Sequence, residues 1–143
     1  ALGTNILALG CGVGPIGLIL AHTDPSRHVV LADVNDRALE CAEKNAESLG
    51  VSSQVELVHS DVYSNINASF STTVTNPPIR AGKKVTYAMY AGAPSHLHQD
   101  GSLILVIRKK QGAESCFRYL QTLFKKVEVK ARHKGFLILI ARN

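Results

Sequence analysis

The sequence predicts an α/β fold built on a mainly parallel sheet. Three observations carry this. Strand-like and helix-like segments alternate along the chain. A glycine-rich turn joins the first strand to the first helix. An aspartate closes or follows each of the next two strands.

Taken in order, Thr4 to Leu9 is a short apolar strand that runs into Gly10-Cys11-Gly12-Val13-Gly14. Pro15 suits the first position of a helix, and Ile16 to Ala21 is apolar all round, as expected of a short buried helix. His28 to Ala32 is the second strand, closed by Asp33. Asn35 caps the next helix, whose apolar face is Ala38, Leu39, Ala42, Ala46 and Leu49, and Gly50 stops it. Gln54 to His59 is the third strand and Phe70 to Thr75 the fourth. Asn76-Pro77-Pro78 ends the fourth, because proline cannot continue a central strand. Lys84 to about His98 reads as a weaker helix, interrupted near Gly92 and Pro94. Asp100-Gly101 reads as a turn and Ser102 to Ile107 as the fifth strand. Ala113, Cys116, Phe117, Leu120, Leu123 and Phe124 share one helical face. Val127 to Ala131 and Phe136 to Ala141 are too close together for a parallel crossover, so they form an antiparallel pair.

The length of 143 residues suits one domain spanning 1–143, and its start at Ala1 suggests a truncated N-terminus. The longest apolar run, Val13 to Ala21, is too short for a membrane span, and nothing reads as a signal peptide. Cys11, Cys41 and Cys116 are odd in number and widely spaced, which points to reduced thiols in a cytoplasmic protein. No cysteine or histidine spacing suits a metal. The net charge of +5 is concentrated in clusters: Arg80, Lys83 and Lys84; Arg108, Lys109 and Lys110; Lys125 and Lys126; Lys130, Arg132 and Lys134. Such clusters attract polyanions through their phosphates, although a solvated face would look the same.

Two motifs carry chemistry. In the first, Gly10, Cys11, Gly12 and Gly14 let a ligand approach the backbone closely beside the N–H groups of a helix start. Pro15 occupies the last glycine position of a dinucleotide fingerprint, which disfavours a nicotinamide cofactor. Asp33, with Val34, can accept hydrogen bonds from the two hydroxyls of an adenosine ribose, and Asp61, with Val62, can meet the adenine. The second motif is Asn76-Pro77-Pro78-Ile79 at the end of the fourth strand. The Asn76 side-chain oxygen and the Pro77 carbonyl can each accept one hydrogen of a planar amine. That frees the nitrogen lone pair and stabilises the positive charge that builds on it.

These residues resemble the S-adenosylmethionine (SAM)-dependent "methyltransferase small" domain, particularly bacterial guanine-N2 methyltransferases of small-subunit (16S) ribosomal RNA. The resemblance runs nearly end to end. Its most specific stretch is Asn76-Pro77-Pro78-Ile79-Arg80-Ala81-Gly82-Lys83, supported by Lys109-Lys110-Gln111-Gly112 and Lys134-Gly135-Phe136. It implies a Rossmann-like class I methyltransferase fold, with a seven-stranded sheet whose last strand is antiparallel and helices on both faces. It also implies SAM as methyl donor, bound at Gly10 to Gly14, Asp33, Val34, Asp61, Val62 and Asn76. The implied partner is ribosomal RNA or the small ribosomal subunit, held by Arg80, Lys83, Lys84 and Arg108 to Lys110. Ala8 and Ser71 stand where the family usually has acidic residues, and both departures are expected to weaken the cofactor site. Two alternatives stay open: an N-methyltransferase of adenine or protein glutamine, which usually has an aromatic where Ile79 stands, and an inactive RNA-binding domain. The sequence leaves the oligomeric state open.

Overall fold

The computed structural model describes residues 2–12, 14–78 and 81–143. Seven strands form one sheet: β1 (Asn5–Leu9), β2 (His28–Asp33), β3 (Val55–His59), β4 (Phe70–Thr75), β5 (Leu97–Arg108), β6 (Lys126–His133) and β7 (Phe136–Arg142). Their spatial order is β3-β2-β1-β4-β5-β7-β6. The first five run parallel, and β7 lies antiparallel between β5 and β6. Four helices accompany them: α1 (Pro15–Thr23), α2 (Asp36–Leu49), α3 (Lys83–Ala91) and α4 (Ala113–Leu123).

The strand order reverses between β1 and β4. The chain moves outward through β2 and β3 on one side, then returns to build β4 and β5 on the other. The crossovers therefore put α1 and α2 on one face and α3 and α4 on the opposite face. Both faces are filled. Leu18, Ala21, Ala42 and Ala46 pack with Ile6 and Ala8 of β1, while Met89, Tyr90, Cys116 and Leu120 pack with Leu7 and Leu9. A strand buried on both sides has no polar alternation, which is why β1 reads as a continuous apolar run. The reversal also splays the loops after β1 and β4 apart, opening a crevice at the C-terminal edge of the sheet.

Local signals explain most boundaries. The Asn35 side chain accepts hydrogen bonds from the N–H groups of Arg37 and Ala38 and starts α2. Gly50, at φ 72°, ends it with its N–H on Ala46 and Glu47 carbonyls. Three expectations need correction. First, α1 is not buried all round: Ile19 is 59% exposed, because only the Gly17, Leu18 and Ala21 side meets the sheet. Second, the helix expected to reach His98 stops at Ala91, and after one turn at Pro94–His96 the chain enters β5 at Leu97. Third, Asp100-Gly101 is no turn but part of β5. The register slips there, with Phe70 paired to Leu97 but Thr72 to Ser102, so β5 bulges.

Helix α1 packs tightly on the sheet at Gly17. A Cβ on Gly17 would overlap Leu31 Cδ2 and stand 3.1 Å from Ala8 Cβ and 3.2 Å from Val29 Cγ1. Gly17→Ala is therefore expected to lower stability by about 1–3 kcal/mol, the usual cost of overpacking a close-packed core. An unchanged urea-unfolding midpoint would mean that α1 can lift from the sheet without loss.

Candidate active site

The crevice holds two cavities of about 250 Å³ each that share Leu9 and Gly10. The first lies between the glycine turn and the end of β4, lined by Ala8, Cys11, Gly12, Ile16, Thr75 and Asn76 among others. The second continues toward β2 and β3, where Asp33, Val34, Asp61, Val62 and Pro78 meet Val85 and Met89 of α3. Together they fall in the roughly 300–1,000 Å³ range of small-molecule sites. An elongated ligand would lie across Gly10 with one end in each.

The turn is held from three sides. The Cys11 N–H donates to the Ala32 carbonyl at 2.9 Å and the Gly14 N–H to the Cys11 carbonyl at 3.0 Å. The Gly12 N–H donates to Asp33 Oδ2 at 2.7 Å, while Asp33 Oδ1 accepts the Asn35 N–H at 2.9 Å. Asp33 is thus a brace between two turns. A carboxylate has about four acceptor positions, so two stay open to ligand hydroxyls.

The glycines differ in why they are needed. Gly12 has φ 59° and open space where a Cβ would point, so only its backbone conformation requires glycine. Gly14 lines neither cavity. A Cβ there would stand 3.2 Å from Ala42 Cβ, so it lets α1 and α2 approach. The first turn of α1 has no side-chain cap, and its Ile16 and Gly17 line the first cavity. Burial, with the Asp33 carboxylate nearby, pushes the Cys11 thiol up to about 12, so it stays protonated and is no nucleophile at neutral pH.

The loop after β3 is over-determined. Val62 has φ 54°, rare for a β-branched residue. Buried Ser60 donates to the Val62 carbonyl at 2.8 Å and accepts the Asn65 N–H at 3.1 Å. Ser64 closes onto the Asp61 backbone at 3.0 Å through both its hydroxyl and its N–H. Tyr63 donates to the Met89 carbonyl at 2.6 Å. This network fixes a strained backbone at the cavity wall and leaves the Asp61 carboxylate without a hydrogen-bond partner among the described residues.

At the end of β4, buried Thr75 donates to the Leu9 carbonyl at 2.8 Å and ties β4 to β1 just before Asn76. Asn76 is exposed, Pro77 buried and Pro78 exposed. This loop can present an amide oxygen and backbone carbonyls to a planar amine at the mouth of the first cavity. Val13, Ile79 and Arg80 lie outside the described residues.

The crevice brings Gly10, Cys11, Gly12, Asp33, Val34, Asp61, Val62, Asn76 and Pro78 together. Lys83 and Lys84 open α3 and are exposed. Arg108, Lys109 and Lys110 line a separate concavity on the same sheet edge. Sequence reasoning missed Val85 and Met89, because the weak helix pattern of α3 hides which side covers the crevice. Ser71 needs correction. It sits at the far end of β4, where its hydroxyl donates to the Asn5 carbonyl at 2.7 Å and accepts the Asn5 N–H at 3.2 Å, so its departure bears on strand pairing and not on the crevice. Ala8 does line the first cavity.

The sequence signature of the methyltransferase small domain matches residues 1–140. The chain is 45% identical to the uncharacterized protein YbxB of Bacillus subtilis, covering 97% of this chain and 70% of that one. It is 37% identical to ribosomal RNA small subunit methyltransferase C of Aeromonas hydrophila, covering 99% of this chain but 41% of that one. Among solved structures it resembles the T. thermophilus 16S rRNA N2 methyltransferase in complex with AdoMet and guanosine, with a TM-score of 0.85, 25% identity, and coverage of 98% of this chain and 37% of that one. It therefore spans about two-fifths of the ribosomal RNA methyltransferases it matches. The seven-stranded architecture is the Rossmann-like class I methyltransferase fold. This chain belongs to the methyltransferase small domain family.

Proposed function

We propose that this chain is a SAM-dependent methyltransferase acting on the 2-amino group of a guanine in small-subunit ribosomal RNA. The observation that carries the reading is Asn76 on the rim of the cavity formed by the glycine turn. An amine acceptor and a nucleoside-sized crevice then share one wall. The relatives named as ribosomal RNA methyltransferases support the substrate class, and the basic residues along the same sheet edge suit RNA.

The paired cavities fit SAM in size and chemistry. Asp33 takes the ribose hydroxyls on its two open acceptor positions. Asp61 and the fixed Val62 backbone take the adenine edge. The glycine turn and the uncapped start of α1 take the amino-acid end. SAM, when bound, supplies an electrophilic methyl group. The chain's own part is orientation. The Asn76 oxygen and the Pro77 carbonyl accept the two amine hydrogens, turn the lone pair out of conjugation with the ring, and stabilise the growing positive charge. No strong base is needed, because the methylated nitrogen loses its proton readily to water. Lys83, Lys84 and Arg108 to Lys110, with Arg80 in sequence between them and Asn76, hold RNA phosphates around an extruded guanine.

The test uses tritiated SAM with small-subunit RNA, DNA and a glutamine-bearing protein substrate, followed by nucleoside analysis. Label in N2-methylguanosine is expected. Label confined to N6-methyladenosine or to protein would overturn the guanine reading, and no transfer despite SAM binding would favour an inactive domain.

A further inference from the structure

Four basic residues line a concavity that is separate from the crevice. It measures about 300 Å³ and is lined by Arg108, Lys109, Lys110, Lys134 and Gly135. We propose that the Lys134-Gly135 turn and the end of β5 form a pre-built receptor for RNA phosphodiesters beside the target crevice. The proposal rests on the RNA reading above and adds Lys134 and the turn that carries it.

Arg108 pairs with Phe136, and His133 pairs with Phe136 in turn, so the end of β5 and the tip of the β6–β7 hairpin meet at one edge. That edge is the one where β4 delivers Asn76, because β4 and β5 are parallel. Neighbouring strands lie about 5 Å apart, so the receptor sits within the reach of backbone flanking a base held at Asn76.

None of the four cations makes an ion pair among the described residues, whereas Arg27, Arg118 and Lys126 each lie beside a carboxylate. Four basic residues at one hollow raise the positive potential there, and an anion entering it would be attracted. A guanidinium binds phosphate oxygens bidentately, and lysines add point charges around it.

The Lys109 N–H donates to the Gly135 carbonyl at 2.9 Å and fastens the hairpin tip to the end of β5. The Arg108 guanidinium lies 4.9 Å from the centre of the Phe136 ring, which restricts its orientation. The tip is a two-residue turn with φ 46° at Lys134 and φ 83° at Gly135. Such turns favour asparagine followed by glycine. Lysine is a poor choice for the left-handed conformation, so the position carries a charge at the expense of an easier turn.

This separates binding from stability. Lys134→Asn suits the turn better and removes the charge. The full chain would be titrated into a short fluorescein-labelled single-stranded RNA over a range of salt concentrations. For Lys134→Asn, affinity near 0.1 M salt is expected to fall about 5-fold, with the slope of log K against log salt shallower by about 0.7, the signature of one lost phosphate contact. The loss should be uniform across RNA sequences. The melting temperature should hold or rise. Lys134→Arg should keep the parent slope, and Lys125→Ala, at the opposite sheet edge, should change neither quantity. An unchanged slope in Lys134→Asn, with a shallower one in Lys83→Ala/Lys84→Ala, would overturn the receptor and leave the RNA reading standing. Equal affinity for polyglutamate would overturn phosphate recognition. A parent chain with no salt-dependent RNA affinity would remove both readings.

Discussion

Replacing Asn76 by alanine is expected to lower methyl transfer by about 10²- to 10³-fold, the usual effect of deleting one acceptor or donor aimed at developing charge. SAM affinity should change less, because Asn76 is one of several residues expected at the cofactor and Asp33, Asp61 and the glycine turn would still hold its ribose, adenine and amino-acid groups. The fold should tolerate the change. Asn76 is exposed, and the strand end is set without it by the Thr75 hydroxyl on the Leu9 carbonyl and by buried Pro77. Single-turnover transfer from tritiated SAM, alongside calorimetry of SAM binding, separates the two effects. Asn76→Asp keeps an acceptor oxygen and should retain more activity than the alanine variant. An alanine variant as fast as the parent would mean that the amine is oriented elsewhere.

The crevice was legible where its signals are local. A strand followed by spaced glycines, an aspartate ending the next strand and an asparagine before two prolines each declare themselves within a few residues. Their convergence follows from the strand order alone. What stayed hidden depends on distant partners. Asp100-Gly101 has the composition of a turn, yet Gly101 sits where a Cβ would stand 3.1 Å from the Phe70 and Ser71 carbonyls, so the glycine serves a bulged pairing with β4. The run Ile16 to Ala21 at the heart of α1 is apolar all round and cannot say which side meets the sheet, so the exposure of Ile19 was unreadable. Val85 and Met89 close the second cavity only because α3 crosses behind the loop after β3. The Lys134-Gly135 turn was visible as a short gap. Its contact with Lys109 spans 26 residues of sequence and belongs to the sheet.

Asp33→Ala should damage cofactor binding more than any other single change in the crevice. Two ribose hydroxyl bonds to a carboxylate, at about 1.5–3 kcal/mol each, correspond to at least about 10²-fold in SAM affinity. The brace is lost as well: the Gly12 and Asn35 N–H groups, now at 2.7 and 2.9 Å from the carboxylate, would have no acceptor there. Asp33→Asn is no gentle substitute, since its amide nitrogen would face one of those N–H groups donor to donor. Cys11 separates the two roles. Its thiol stands at about 12 chiefly through burial and secondarily through the Asp33 carboxylate. Removing the carboxylate should bring that value down, though burial keeps it above that of a free thiol, and the pH dependence of thiol alkylation reads this without cofactor. Weaker SAM binding together with a lowered Cys11 value is the expected pair. A lowered Cys11 value with SAM affinity intact would make Asp33 a brace of the glycine turn alone, and the ribose would then need another acceptor.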